Sequence, residues 1–164
     1  MQTLEQAHFL SPFGCFEVIG SSRGISSVKL VETKPCPAGP IPEGLKDCVV
    51  QLNEYFRGDR EVFDLELDFG SATHFNRAVW EALHKVPYAH TTTYSAIAEK
   101  IGNPNAVRAV GLAARNNPIA IIVPCHRCIA KSGELQGYFY GLDMKRRLLE
   151  LENPMSFARQ GTLF

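Results

Sequence analysis

The stretch TYSAIAEKIGNPNAVRAVGLAAR, residues 93–115, is the part of this chain whose pattern is hardest to mistake. Residues 94–101 and 104–115 are two short segments of helical character separated only by Gly102-Asn103. Thr93 is suited to cap the first, and Pro104 fits the first turn of the second. Two helices joined this tightly make a helix-turn-helix candidate, whose second helix would lie against a groove of a duplex. Tight helical hairpins are also ordinary packing units, so the pair leaves both uses open.

Outward from this pair, residues 119–123 are a continuous apolar run of the buried-strand type, and Lys131-Ser132-Gly133-Glu134 is a polar turn. Residues 141–152 form a last helix bearing Lys145, Arg146 and Arg147. On the other side, Phe75, Val79, Leu83 and Val86, with Trp80 and Ala82 beside them, make an amphipathic helix stopped by Pro87. A subdomain boundary is expected near residue 75. Before it, residues 16–20 and 24–31 read as a hairpin joined by Ser21-Ser22-Arg23. Pro35, Pro37, Pro40 and Pro42 then exclude regular structure until a helix over residues 45–56, which ends at Gly58. Val62, Leu65 and Leu67 form a strand-like run that closes a small α/β unit. There is no internal repeat and no low-complexity tract.

At 164 residues and 45% hydrophobic content, the chain can bury one good core or two small ones. Its opening run has no basic start, and no segment reaches the length needed to cross a bilayer, so the expectation is a soluble cytoplasmic protein without a membrane partner. The five cysteines, Cys15, Cys36, Cys48, Cys125 and Cys128, are an odd set without the paired spacing of a zinc site. They are expected as free thiols, with no disulfide framework and no metal. Net charge is zero, but residues 1–75 hold 6 Lys and Arg against 11 Asp and Glu, whereas residues 76–164 hold 11 against 6. Contact with a polyanion therefore belongs to the second half.

The run Ile121-Ile122-Val123-Pro124-Cys125-His126-Arg127 places a cysteine after an apolar strand, where Pro124 halts pairing and turns the thiol toward a pocket. A cysteine attacks as thiolate, and with a free pKa near ~8.5 it needs a neighbouring base or positive charge. His126 and Arg127 are at hand. Side chains of adjacent extended residues point opposite ways, so Cys125 and His126 would communicate through a water or a turn. A base histidine is normally oriented by a third group, and Glu150 and Glu152 both qualify. An inert buried thiol beside a satisfied core histidine has the same local sequence.

The larger constellation separates these readings. Pro124-Cys125-His126-Arg127, preceded by Asn117-Pro118-Ile119 and followed by Ser132-Gly133, resembles the signature of the O6-alkylguanine-DNA alkyltransferases. The likeness runs in order from about residue 75 to 152, through Val86-Pro87-Tyr88, Thr93-Tyr94, Gly102-Asn103-Pro104, Arg108-Ala109-Val110-Gly111, Gly141-Leu142 and Leu148-Leu149. Residues 1–70 resemble the family more loosely. The resemblance implies an α/β protein: a small ribonuclease H-like α/β domain over residues 1–72, then a mainly helical winged helix-turn-helix domain over residues 73–164.

It also implies a monomer that needs no cofactor, acts on double-stranded DNA containing O6-alkylguanine, and extends in principle to O4-alkylthymine. The damaged base is rotated out of the duplex, as chemistry on a stacked base requires. The thiolate of Cys125 takes the alkyl group and keeps it as a thioether, so each molecule acts once. Carried over residue by residue, His126 is the base, Glu152 rather than Glu150 its orienting carboxylate, Asn117 the link to the active-site segment, and Tyr94 the proton donor toward guanine. Arg108 enters the stack, and Thr93, Tyr94, Ala109, Arg115, Arg127 and Ser132 complete the expected DNA contacts. The bulky run Tyr138-Phe139-Tyr140 departs from the family's variable and often smaller residues there, which bears on pocket width. The competing readings are a cysteine hydrolase, which would turn over repeatedly, and a DNA-damage sensor that binds without chemistry.

Overall fold

The computed structural model describes residues 3–155, so residues 1–2 and 156–164, the outer ends of the two expected domains, lie outside it. The chain is a mixed α/β protein whose contacts divide it into two units: one runs to Ser71 and also takes in Pro118–Ile122, and the other comprises Ala72–Asn117 and the chain from Val123 onward. No helix among the described residues is long and apolar enough to cross a membrane.

The first unit is built on an antiparallel meander, β1 (Glu5–Ser11), β2 (Gly14–Ser21) and β3 (Gly24–Val31), in that spatial order. The expected hairpin is present, and β1 adds a strand that sequence reasoning passed over. Its alternation is partial: Ala7 and Phe9 are buried while Leu10 is exposed. Gly24 has φ +133, and a Cβ there would lie 2.6 Å from the carbonyl oxygen of Glu66, so only glycine admits this approach. Helix α1 (Lys46–Phe56) buries Leu52, Tyr55 and Phe56, the last with its ring 5.3 Å from that of Phe16. Gln51 on this helix receives the backbone N–H of Asp64 and donates to its carbonyl.

Two strand-like runs prove to be single bridges. Leu67 pairs with Ile25 and Ile119 with Val28, both parallel. Residues 119–123 are buried throughout, as an apolar run should be, but they do not continue as a strand. Ile122 N–H turns back to the carbonyl of Ala120 at 2.8 Å, and Ile121 adopts φ +72, an uncommon conformation for a β-branched residue. Burial explains the composition, and the turn explains the missing ladder.

The expected free thiols hold for Cys48, Cys125 and Cys128 but not for Cys15 and Cys36, which form a disulfide. The β2–β3 register sets Cys15 opposite Val31, and the proline-rich segment then brings Cys36 back to a Cα separation of 5.5 Å. Cysteine parity carries no information about a register, so the sequence could not reveal the pairing.

In the second unit, Thr73 caps α2 (His74–His84) by accepting from the N–H of Asn76, and Trp80 of this helix donates to the carbonyl of Ala113 at 2.8 Å. The short strand β4 (Thr92–Thr93) leads into α3 (Tyr94–Lys100), capped by Thr93 through Ala96 N–H. Gly102 at φ +80 reverses the chain. Helix α4 (Val107–Arg115) begins three residues after Pro104, which sits in the preceding turn instead of the first helical turn. Strand β5 (Cys128–Ile129) pairs parallel with β4, and α5 (Leu142–Glu152) closes the described chain with Met144, Lys145, Leu148, Leu149 and Glu152 buried.

Candidate active site

After Pro124 the chain forms a single 3-10 turn, Cys125–Arg127, all three residues of which are buried. Cys125 retains 8% exposure, against 1% for Cys48 and 0% for Cys128, so it is the free thiol that a reactant could reach with least rearrangement. Asn117 sets its position: one amide nitrogen donates to the carbonyl of Val123 at 2.7 Å and to Cys125 Sγ at 3.2 Å.

His126 is fully buried, and its Nε2 lies 2.6 Å from Glu152 Oε2. Glu152 also accepts from Arg127 Nε at 2.8 Å, Arg127 Nη2 at 3.0 Å and the backbone N–H of Ala89 at 3.3 Å. Burial alone would raise this carboxyl, yet the hydrogen bonds and charges of His126 and Arg127 outweigh it and hold the pKa at about 2. Glu152 is therefore an anion. The structure thus chooses between the two acidic candidates on geometry, since only Glu152 faces the histidine.

Burial lowers the pKa of His126, as do the charges of Arg127 and Lys145, against the opposing pull of Glu152. The imidazole rests neutral. With Nε2 bound to a carboxylate, the proton belongs on Nε2, and Nδ1 is left with its lone pair. Nδ1 is buried and has no hydrogen-bond partner among the described residues. A neutral, oriented imidazole with a free basic nitrogen one residue from a thiol is the arrangement of a general base.

Cys125 itself is pushed up by burial, and pulled back by the Asn117 donor, the Lys145 charge and the backbone N–H groups of Cys125 and His126. In the closed site it rests as a thiol, and attack requires its proton to leave. Tyr94 donates its hydroxyl to the carbonyl of Gln136 at 2.8 Å and accepts from Lys145 Nζ at 3.4 Å. Burial raises the Tyr94 pKa further above its ordinary value, so the phenol keeps its proton and remains a donor.

Lys145 is the group that sequence reasoning missed. In sequence it is only one of three basic residues on the last helix, yet it is 0% exposed and donates to Gln136 O at 2.7 Å. The signal was present: Lys145 and Glu152 stand seven residues apart, two helical turns, on the stripe also occupied by Leu148 and Leu149.

The expected DNA contacts divide. Arg108 and Arg115 are exposed on α4 and, with Tyr94, Gly111, Leu112 and Gln136, line a cavity of about 440 Å3 that Cys125 does not line. Ala109 is exposed on the same helix, Thr93 spends its hydroxyl on the α3 cap, and Ser132 is exposed in its turn. Arg127 is 5% exposed, bound to Glu152 and to the carbonyl of Val86 at 2.7 Å, and stacked over the ring of Tyr88. Its fork is occupied inside the protein, in the Glu152 cluster, and not exposed as the sequence suggests. Tyr138 is buried, with its ring 5.6 Å from that of Tyr140, and Phe139 is 64% exposed. Among the described residues no group of three or more His, Cys, Asp or Glu side chains could hold a metal ion.

Known proteins share this arrangement of chain. Residues 74–154 match the family model for the 6-O-methylguanine DNA methyltransferase DNA binding domain, and residues 7–69 match that for the ribonuclease-like domain of the same family. A methylated-DNA–protein-cysteine methyltransferase of Mycobacterium tuberculosis is 46% identical over 152 residues, covering 90% of this chain and 92% of that protein. The crystal structure of the O6-methylguanine methyltransferase of that organism superposes with a TM-score of 0.82 at 43% identity, covering 93% of this chain and 94% of that one. A second structure, of the M. tuberculosis OGT in complex with DNA, gives 0.81 at 45% identity over 90% and 91% of the two chains.

Proposed function

Because the chain belongs to the 6-O-methylguanine DNA methyltransferase family, we propose that Cys125 is the residue on which its reaction ends. The protein repairs DNA by transferring an alkyl group to one of its own cysteines, a methylated-DNA–protein-cysteine methyltransferase activity. The observation that carries the choice of Cys125 is the buried series Cys125, His126, Glu152, in which the one partly accessible free thiol adjoins a neutral imidazole fixed at 2.6 Å by an anionic carboxylate.

On this reading O6-alkylguanine is extruded from the duplex toward the thiol, with Arg108 on α4 filling the space it leaves. His126 Nδ1 takes the Cys125 proton, directly or through a water, and the imidazolium so formed is stabilised by Glu152. The Cys125 sulfur attacks the alkyl carbon as its bond to O6 breaks, and Tyr94 donates toward the departing guanine. The product thioether has no proton to lose and does not hydrolyse, so one molecule repairs one base. Double-stranded DNA is the macromolecular partner, supported by the related M. tuberculosis structure that contains DNA. The protein acts as a cytoplasmic monomer.

Incubation with a duplex bearing O6-methylguanine tests the assignment. Intact mass should rise by one methyl group, peptide mapping should place it on Cys125, and Cys125→Ala should bind the duplex but gain no mass. A methyl on Cys48 or Cys128, or repeated turnover, defeats it.

A further inference from the structure

Cys125 and Cys128 stand at C-x-x-C spacing, and the second of them has no part in the reaction described above. The backbone between them is a closed turn: the N–H of Cys128 donates to the carbonyl of Cys125. A turn closed between residues i and i+3 holds their Cα atoms within ~7 Å, inside the range a disulfide spans. Cys128 is the extended C-cap of that turn, with φ −95 and ψ 118. The two intervening side chains are engaged elsewhere, for His126 and Arg127 both bind Glu152. The two sulfurs instead share neighbours, since the Lys145 ammonium and the Tyr94 phenol each lie within electrostatic reach of both.

We propose that Cys125 and Cys128 form a reversible redox pair, in which a peroxide-class oxidant closes a disulfide that blocks the alkyl-acceptor sulfur and a dithiol reopens it. The proposal rests on Cys125 being the acceptor only where activity is the readout; the cross-link itself is independent of that assignment. The chemistry balances. The Cys125 sulfur attacks one oxygen of hydrogen peroxide, the O–O bond breaks, and a sulfenic acid and one water result. The Cys128 sulfur then attacks the Cys125 sulfur, the S–O bond breaks, and the hydroxide leaves with the Cys128 proton as a second water. Two thiols are oxidised by two electrons and one peroxide is reduced. A dithiol such as dithiothreitol reverses this by two exchanges and is itself oxidised.

Burial pushes the Cys128 thiol up to about 12, which makes it a poor nucleophile toward anything in solution. Its partner is not in solution. A sulfur held a turn away presents itself at a high effective concentration, and the oxidised Cys125 has no other cysteine at such spacing. For a protein consumed by one reaction the consequence is specific. An acceptor oxidised beyond sulfenic acid is lost without repairing a base, whereas one closed onto Cys128 is recoverable.

The test treats the full-length protein with limiting hydrogen peroxide, blocks remaining thiols with N-ethylmaleimide, and maps tryptic peptides without reduction. Cleavage after Arg127 falls between the two cysteines, so the disulfide joins peptides 116–127 and 128–131 into one species lighter by two hydrogens than their sum. That species is expected to accumulate as methyl transfer is lost, and dithiothreitol should remove it and restore transfer. Protein first methylated by substrate should yield no such species. Cys128→Ala and Cys128→Val should transfer methyl normally but lose activity to peroxide without recovery, with Cys125 found as sulfinic or sulfonic acid. Absence of the linked peptides at peroxide levels that abolish transfer overturns the proposal, whether or not the variants fold, and so does full recovery in both variants. Should the methyl map to a residue other than Cys125 while the linked peptides still form, the acceptor assignment falls and the redox pair stands.

Discussion

Helices α4 and α5 lie in the same unit and both mix basic with apolar residues, yet they treat charge in opposite ways. Helix α4 keeps Arg108 and Arg115 in water together with Leu112, which is 62% exposed. Helix α5 takes Lys145 and Glu152 out of water, at 0% and 6% exposure. A charge left in water is free to meet a ligand. A charge withdrawn from water must be paired, and in being paired it sets the proton state of its neighbours. Glu152 fixes the histidine that would deprotonate Cys125, and Lys145 lowers the cost of the resulting thiolate. If α5 governs reactivity and α4 recognition, variants in the two helices should fail in different ways.

The largest effect is expected from Glu152→Gln. The substitution leaves the Arg127 guanidinium buried without an anion and removes the group that orients His126. Unfolding free energy in urea should fall by ~3–5 kcal/mol, the range for breaking one partner out of a buried pair. Methyl transfer should fall with it even where the variant remains folded. A loss below ~1 kcal/mol would mean that the cluster is solvated and that burial is not what gives α5 its role.

The same cluster predicts the response to acid. Glu152 is held at about 2, below its ordinary 4.5, so the stability it confers is complete above the unfolded value and is lost as pH falls from there toward 2. His126 acts in the same direction: burial lowers its pKa in the folded protein, so below about 6.5 the unfolded residue gains its proton first and acid favours unfolding through it as well. Melting temperature should therefore decline from about pH 6.5 downward and steepen below 4.5, and in Glu152→Gln the steeper part should flatten. Equal slopes in the two proteins would remove Glu152 from the account.

Lys145→Met is expected to move the rate without moving the grip. Loss of the ammonium removes one of the influences that hold the Cys125 pKa down, so the pH–rate profile for methyl transfer should shift to higher pH. At neutral pH the rate should fall by roughly tenfold for each unit of that shift. Duplex affinity should stay near that of the parent. A uniform fall across pH would instead make Lys145 a packing residue.

What the sequence disclosed follows the same division. Features set by order along the chain are legible: α2 from its apolar period, α3 and α4 from two short segments around Gly102-Asn103, Thr93 from its place before α3, and Cys125 with His126 from the ordered motifs that resemble the alkyltransferase family. Features set by burial are not. Arg127 reads as a cation available to DNA, since arginine usually is, and only the fold shows it enclosed by Glu152, Val86 and Tyr88. Residues 119–123 read as a strand because an apolar run does not say which backbone groups will find a ladder. Cys15 and Cys36 could be joined only by knowing that β2 and β3 pair with Cys15 opposite Val31. Glu150 and Glu152 are equivalent by spacing from the cysteine; the family resemblance names Glu152, and the buried face of α5 sets it against His126. Long-range register and the direction of a side chain at a given exposure are the quantities a single sequence carries least clearly.

The smallest effect on stability, and the sharpest test of α4, comes from its two arginines. Both are exposed and neither has a hydrogen-bond or ion-pair partner among the described residues, so alanine at either should alter unfolding free energy by no more than ~0.5 kcal/mol. Their functional losses should differ in kind. If Arg108 fills the space of an extruded base, Arg108→Ala should slow repair of O6-methylguanine in a duplex while leaving the reaction with free O6-benzylguanine unchanged, because only the duplex must be opened. If Arg115 meets a phosphate, Arg115→Ala should instead weaken binding to every duplex alike and reduce the salt slope of affinity by ~1. Equal losses on duplex and free base would take Arg108 out of the stack and make α4 a surface of attraction only, with opening of the duplex left to groups elsewhere in the unit.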